Sequence, residues 1–465
     1  MTRVLVVGNG PAAHRLTERL HHHGHRGRVT VLGAEPHPAY QRVLLPSVLA
    51  GGLPPEALLL PPHPAGTRVL PGVTATGIDR RRRVVRASDG AEHAYDTLVL
   101  ATGAAPVVPA VPGLRAPDGQ LARGVRTVRT LADTAALPSG RVVVLGGGVL
   151  GVETALALRG AGHAVALVHP HAHLAGHLLD PAAGRMLADR MTDLGVTLHL
   201  GAGAAEYVPG KLLLREGPPL PADALLLCAG VAPGTGPARG CGLAVRTGVV
   251  VDDRLTTNDP RIHAIGDCAE HAGQVPGVLS AGWEQADVLA RVLTGHDARH
   301  APRGRAVRLR SAEVDLLCVT PPPEPGGAAD GGHTVTFSDP AGRRYARLHL
   351  RGDRIASAVL LGLPRAIAAV GQLHDSGSPV PSDRLALLLG ARPAARPAPA
   401  ASADAVVCAC NNVTGRTLLD AVAAGARDTA ALARATRATT GCGTCLEPVR
   451  RLLAAATPAG AGGAG

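Results

Sequence analysis

Aromatic side chains are almost missing: one Trp, one Phe and four Tyr in 465 residues. A chain this poor in rings has no stacking platform for single-stranded nucleic acid, which removes the reading its formal charge of +11 would otherwise invite. Lysine is nearly absent as well. Lys211 stands alone among 47 basic residues, and Arg, Ala, Gly and Pro dominate throughout. That bias points to coding composition rather than to a selected basic surface. The densest basic run, Arg80–Arg83, falls between short strands and is expected in a solvated hairpin. A basic face that draws an acidic redox partner stays open. Long apolar runs are also lacking. No segment reaches membrane-spanning length and no secretory signal precedes the first strand, so a cytoplasmic protein without a membrane partner is expected. Of eight cysteines, Cys228, Cys241, Cys268 and Cys318 are scattered singly and read as small buried hydrophobes.

The other four are grouped. Cys408 and Cys410 lie in VVCACNNV, and Cys442 and Cys445 in TTGCGTCLEP. Four thiolates arriving as C-x-C and C-x-x-C can surround a metal centre, and soft sulfur selects zinc or iron–sulfur. Gly441 and Gly443 flank Cys442 and leave backbone N–H groups free near the sulfurs. Spacing alone leaves zinc open. The chain upstream favours iron–sulfur, because it reads as a flavoprotein with electrons to pass on.

That upstream reading rests on a repeated motif. RVLVVGNGPAAHRLTERL runs an apolar strand into Gly8-x-Gly10-x-x-Ala13 and a helix, so that a tight turn, a close backbone approach and a helix N-terminus all face one pyrophosphate. The next strand ends near Glu35, a candidate for ribose hydroxyls. The pattern recurs in RVVVLGGGVLGVETALAL, with Gly146-x-Gly148-x-x-Gly151 and Glu153 on the following helix. Its second strand ends at His169, where a carboxylate normally grips an NAD ribose. Two such units imply two dinucleotides on one chain. Strand-to-glycine turns follow at Ala101-Thr102-Gly103, at Gly230 in LLLCAGVAPGT, and at Gly266-Asp267 in RIHAIGDCAEH.

With these motifs the chain resembles the two-dinucleotide flavoprotein reductases over residues 1 to about 300. In that family an NAD(P)H-binding Rossmann-type domain is inserted in an FAD-binding one, and the Asp of the Gly-Asp turn meets the flavin's ribityl–phosphate region. The resemblance therefore assigns Asp267 to FAD. The disulfide reductases of this superfamily carry C-x4-C after the first unit. Glu35–Gly51 holds no Cys, which excludes thiol–disulfide exchange. The same segment resembles the nitrite-reductase type, whose Arg near the flavin matches Arg42. The Lys of the ferredoxin-reductase branch is missing. The tail resembles the helical 2Fe–2S module of bacterioferritin-associated ferredoxin, with Cys408, Cys410, Cys442 and Cys445 as ligands and N-N-V after the first pair. That module follows the flavin domains in the large subunit of assimilatory NAD(P)H nitrite reductase. No sirohaem domain is expected with it, and the order resembles an electron-transfer subunit of assimilatory nitrate reductase.

The expected fold class is α/β, with two Rossmann-like dinucleotide-binding domains, an α+β C-terminal reductase domain and a small helical 2Fe–2S domain. The FAD domain is expected at 1–112 and 237–300 and the NAD(P)H domain at 113–236. An α+β interface domain at 301–390, a linker at 391–404, the cluster module at 405–455 and a flexible tail at 456–465 complete the division. NAD(P)H delivers two electrons as a hydride and a 2Fe–2S cluster takes one, so a flavin belongs between them. The expected acceptor is a separate terminal reductase, either a molybdenum nitrate reductase catalytic subunit or a sirohaem nitrite reductase. Glu153 is expected beside the nicotinamide, or as a plain helix carboxylate. His169, His171 and His173, with His21–His23 and His25, lack partners at ligand spacing and read as surface histidines. Three rivals remain: an amine or amino-acid dehydrogenase subunit, a ferredoxin-type reductase for iron mobilisation, and a zinc-linked adapter or redox sensor. Coenzyme preference and oligomeric state stay open.

Overall fold

The computed structural model describes residues 2–137, 140–302, 304–321, 332–390, 403, 406–408, 413–439 and 445–456. The apolar runs form parallel strands because both of their faces are covered, and they are accordingly buried nearly end to end. Strands β1 (Arg3–Val7), β2 (Arg28–Gly33) and β3 (Thr67–Pro71) pair in parallel, with helix α1 (Pro11–His22) between the first two. Helix α2 (Leu45–Leu49) lies in the long β2–β3 connection. A hairpin sheet of β4 (Ala75–Asp79), β5 (Val84–Ala87) and β6 (Glu92–Ala94) precedes β7 (Thr97–Leu100), which pairs with the other side of β1. Arg81–Arg83 are exposed at the β4–β5 turn, as expected of a solvated hairpin. Arg80 departs from this, because its Nε donates to Asp259 at 2.8 Å.

The chain then leaves this sheet through β8 (Ala104–Pro106) and builds a second. Strands β9 (Val125–Thr127), β10 (Arg141–Leu145), β11 (Ala164–His169), β12 (Thr197–Leu200) and β16 (Ala224–Leu227) are ordered β12-β11-β10-β16-β9, all parallel. Helices α3 (Val149–Gly160) and α4 (Pro181–Asp193) connect them, and β13 (Ala204–Val208), β14 (Lys211–Leu214) and β15 (Leu220–Pro221) form an antiparallel flap. Val108, Val111 and Leu114 already pack into this second core. The return strand β17 (Val231–Pro233) pairs antiparallel with β8, so one ribbon carries the chain out and back. After α5 (Gly236–Gly240) and β18 (Val249–Val251), strand β19 (Ile262–Ala264) completes the first sheet in the order β19-β7-β1-β2-β3. Strand β20 (Ala269–His271) and helix α6 (Leu279–Leu293) follow. Asp287 of α6 holds Arg15 and Arg19 of α1 at 2.9 and 3.2 Å.

A second compact unit comprises 308–318 and 331–465. A further sheet is ordered β21-β22-β25-β24-β23, from β21 (Arg305–Arg308), β22 (Leu316–Thr320), β23 (Gly332–Asp339), β24 (Arg344–Arg351) and β25 (Arg354–Leu361). Helix α7 (Pro364–Ser376) ends in a left-handed Gly377, and α8 (Arg384–Leu388) is capped by Asp383. Further along lie a short ribbon of β26 (Val406–Cys408) and β27 (Val413–Thr414), then α9 (Gly415–Ala423), α10 (Thr429–Thr436) and α11 (Leu446–Ala456). The linker expected at 391–404, apart from residue 403, lies outside the described residues, as does the tail expected at 456–465 apart from Ala456, which ends α11. Among the described residues no helix is long and apolar enough to cross a membrane.

Two buried histidines, His263 and His300, and the half-buried His63 make the first unit acid-sensitive. Burial holds His63, His263 and His300 each down at about 4. All three are therefore neutral when folded but take a proton near pH 6.5 when unfolded. Their contribution is intact above about pH 6.5 and is lost progressively as the pH falls toward 4. Each lowers stability by up to about 1.4 kcal/mol per pH unit across that window. Melting temperature is expected to drop steadily from pH 6.5 to 5. A flat profile there, measured by circular dichroism, contradicts the burial argument.

Candidate functional site

Both parallel sheets reverse strand order beside their first strand, and a glycine stands at each reversal. Gly8 follows β1 with φ +114°, and a Cβ there would collide with the carbonyl of Ala101 at the end of β7. Gly146 follows β10 with φ +122°, and its Cβ would strike the carbonyl of Cys228 at the end of β16. The amides match too: Gly8 N–H donates to Leu32 O at 2.8 Å and Gly146 N–H to Val168 O at 2.9 Å. Gly10 and Gly148 then cap α1 and α3 in extended conformation, with no side-chain cap and no acid in either first turn. A Cβ on either would meet nothing within 4 Å. Each loop is thus an open cradle beneath an uncapped 12-residue helix. Ala13 is fully buried, and Gly151 lies so close to Gly146 O that no larger residue fits.

Around the first cradle, polar side chains from four segments converge. Glu35 accepts from Tyr40 OH at 2.6 Å and from Arg42, whose guanidinium also donates to Tyr40 OH and to Arg129 O at 3.1 Å. Burial raises the Tyr40 phenol above its usual range, so it stays protonated and donates. Arg129 in turn bridges Asp267 at 3.0 Å and Ala104 O at 3.0 Å. Asp267 sits in a single 3-10 turn held by Gln285, which accepts Gly266 N–H at 2.7 Å. Arg42 was expected beside the flavin and Glu35 on the ribose. The structure joins the two in one ion pair. Thr102 Oγ1 donates to Gly234 O at 2.5 Å, and Gly234 N–H returns to Gly103 O at 2.8 Å, which locks the turn after Ala101 to the ribbon. Gly230 has φ +96°, and its carbonyl receives Val107 N–H at 3.0 Å.

At the second cradle, His169 ends β11 and its Nδ1 accepts Gly147 N–H at 3.1 Å. Burial lowers its pKa, and neighbouring His171 adds to the effect. Glu153 is buried on α3 and acts electrostatically on Cys228. Burial pushes the Cys228 thiol up to about 12 and raises Cys268 as well, so neither is a thiolate at neutral pH.

In the C-terminal module, Cys408 and Cys445 share one buried cluster with Val413, Leu418, Leu432 and Val449. Thr439, in the left-handed region at φ +70°, donates its N–H to Cys445 Sγ at 3.1 Å. Cys410 and Cys442 lie outside the described residues.

Against known proteins, residues 2–288 match the model for pyridine nucleotide-disulphide oxidoreductases. The chain belongs to that family. Residues 406–455 match the BFD-like [2Fe-2S] binding domain. This oxidoreductase is 31% identical to the nitrite reductase [NAD(P)H] large subunit of Klebsiella oxytoca over 472 residues, covering 97% of this chain and 48% of that one. It is 28% identical to the assimilatory nitrate reductase electron transfer subunit of Bacillus subtilis (strain 168), covering 97% of this chain and 59% of the relative. The chain thus spans roughly half the length of these curated relatives. Putidaredoxin reductase, solved in covalent complex with putidaredoxin, superposes with a TM-score of 0.73 at 26% identity, covering 83% of this chain and 95% of that one. The two family matches make this an NAD(P)H-dependent oxidoreductase with FAD and a 2Fe–2S cluster as cofactors.

The residues fit those groups. Asn9, between the two glycines of the first cradle, accepts on Oδ1 from His63 Nε2 at 2.9 Å, while its Nδ2 is buried without a partner. Such an orphaned donor beside an open helix N-terminus suits a phosphate or a ribose oxygen. A sulfur that accepts a backbone N–H suits a cluster thiolate. Sequence reasoning passed over Asn9, His63, Gln41 and Arg129. Asn9 carried a signal, as the variable position inside G-x-G. Gln41 is buried with both amide atoms unpaired and had none, and neither His63 nor Arg129 is marked by spacing.

Two outcomes follow from this geometry. Gly8→Ala and Gly146→Ala should each cost about 2–4 kcal/mol in urea unfolding, and Gly10→Ala about 1 kcal/mol or less. Equal losses at all three positions would show that the strand-end carbonyls do not exclude a Cβ. Arg129→Met should weaken FAD retention at least about tenfold by leaving Asp267 without its cation. Unchanged flavin affinity, titrated by fluorescence quenching of the apoprotein, removes Arg129 from the site.

Proposed function

We propose that this oxidoreductase takes electrons from NAD(P)H and exports them to a separate terminal reductase. The molybdenum catalytic subunit of an assimilatory nitrate reductase is the first choice of acceptor, and a sirohaem nitrite reductase the second. The carrying observation is the pair of like-built open cradles in one chain, followed by the cysteine module, in the order of the Bacillus subtilis electron transfer subunit. When bound, the flavin accepts a hydride's electron pair and releases electrons singly, which bridges a two-electron donor and a one-electron cluster.

The chain's own residues divide the labour. The start of α1, Gly10 and Asn9 receive the FAD pyrophosphate, and Ala101-Thr102-Gly103 lines its path. Arg129 positions Asp267 on the ribityl side, while Glu35, Arg42 and Tyr40 close the ribose end as one hydrogen-bonded unit. Gly148, Gly151 and the start of α3 hold the NAD(P)H pyrophosphate, with Glu153 at the nicotinamide and Gly230 on the ribbon between the two sites. Cys408, Cys410, Cys442 and Cys445 ligate the cluster. No proton relay is needed, since the protein's work is orientation and potential tuning. The likeness to a putidaredoxin reductase solved with its protein partner favours one further reading, in which the acceptor is a small redox protein.

An anaerobic titration with NADH and with NADPH, read by absorbance and low-temperature EPR, tests the path. Flavin absorbance should bleach in both the parent protein and Cys410→Ser. A rhombic 2Fe–2S signal should appear in the parent alone. Bleaching without any iron signal, and zinc on metal analysis, would end the electron-export model.

A further inference from the structure

The second cradle departs from the usual pattern at one position, and the departure is structured. Where an acid would take the ribose hydroxyls, β11 ends in His169, and the segment from His169 to Leu179 holds four histidines and no carboxylate. The next acid, Asp180, is committed elsewhere: its Oδ1 accepts Ala182 and Ala183 N–H, both at 3.0 Å, as the cap of α4.

This loop is stitched to the glycine turn. Gly147 N–H donates to His169 Nδ1 at 3.1 Å, and Gly147 O receives Ala175 N–H at 2.8 Å, so both backbone groups of that glycine are taken. A Cβ on Gly147 would sit 2.7 Å from His169 Cγ and 2.7 Å from Leu174 Cδ2, so the imidazole occupies space that only glycine leaves. Ala175 adopts φ +47° to close the loop. Because Nδ1 is the acceptor, the neutral ring carries its hydrogen on Nε2, and the ring is also hydrogen-bonded to the His173 backbone, so His169 is fixed within the loop from both sides. The His171 ring stands 5.2 Å away, edge to face, and His171 and His177 are exposed.

We propose that this histidine loop is a 2′-phosphate site, so that the second cradle takes the 2′-phosphorylated dinucleotide, NADPH, in preference to NADH. The proposal rests on the reading of that cradle as the NAD(P)H site. A carboxylate at the end of β11 would accept from both ribose hydroxyls and repel a phosphate dianion. His169 does neither. The exposed His171 and His177 imidazoles beside it offer N–H donors whose hydrogen bonds the phosphate's own charge would strengthen. The unphosphorylated ribose finds no paired acceptor there.

Adenosine 5′-monophosphate and adenosine 2′,5′-bisphosphate differ only in the phosphate at issue, and their binding to the full chain can be compared by calorimetry without turnover. The bisphosphate should bind about tenfold or more tightly, the size of one charge-assisted hydrogen bond. His169→Glu can accept the same Gly147 N–H and should bring the ratio to one or below. The double variant His171→Ala/His177→Ala changes exposed side chains only, and should lower the ratio without shifting the melting temperature. Equal affinities in the parent protein, or a ratio that survives both variants, would overturn the proposal. The two readings separate in the anaerobic titration. Flavin bleached by NADH with no advantage for the bisphosphate ends this inference alone, whereas flavin bleached by neither coenzyme ends the proposed function.

Discussion

Two missing methyl groups organise the first unit. At Gly8 and Gly146 the space a Cβ would fill is taken by the carbonyl of the strand next to β1 or β10, and both glycines sit at positive φ. Close approach at the strand-order reversal brings the loop over the ends of two strands at once, which aims the helix that follows at whatever lies outside the sheet edge. Open space over Gly10 and Gly148, uncapped helix termini and buried Ala13 are consequences of that approach. The same constraint acts twice because the same strand order was built twice, once from β1, β2, β3, β7 and β19 and once from β10, β11, β12, β16 and β9.

The second ordering element is electrostatic. Glu35, Arg42, Arg129 and Asp267 come from three separate segments and meet as a chain of contacts. Each side chain is about a quarter exposed, so a single pair contributes little by itself, about 1 kcal/mol or less. Their value is positional. Arg129 follows the edge strand of the second sheet and reaches the carboxylate that follows the edge strand of the first, so one guanidinium spans both sheets at the ribbon that joins them.

What was legible in the sequence follows from the same physics. Glycine spacing after an apolar run reports a backbone requirement local in sequence, so both cradles could be read directly. The family and the order of its modules followed, as did the hairpin at Arg81–Arg83. Arg129 and His63 could not be read, because each works on a partner far along the chain: Arg129 on Asp267 and His63 on Asn9. Arg42 shows the middle case. Motif reading set it near the flavin and set Glu35 on the ribose, and only the fold brings the two into contact.

Thiol chemistry separates the two uses of cysteine in this chain. Burial holds Cys228 and Cys268 in the protonated state. They are packing residues at the ends of β16 and β19, and the C-x4-C of the disulfide reductases is missing from Glu35–Gly51. A two-electron pair that reaches this flavin site therefore has no dithiol to reduce. Cys445, by contrast, has its sulfur turned toward a backbone N–H at a strained left-handed residue, an arrangement that stabilises negative charge on sulfur. Where the disulfide reductases carry a dithiol, this chain carries instead a match to the BFD-like [2Fe-2S] binding domain at residues 406–455. A one-electron outlet suits the separate reductase proposed as acceptor, whereas a dithiol outlet would serve only another thiol.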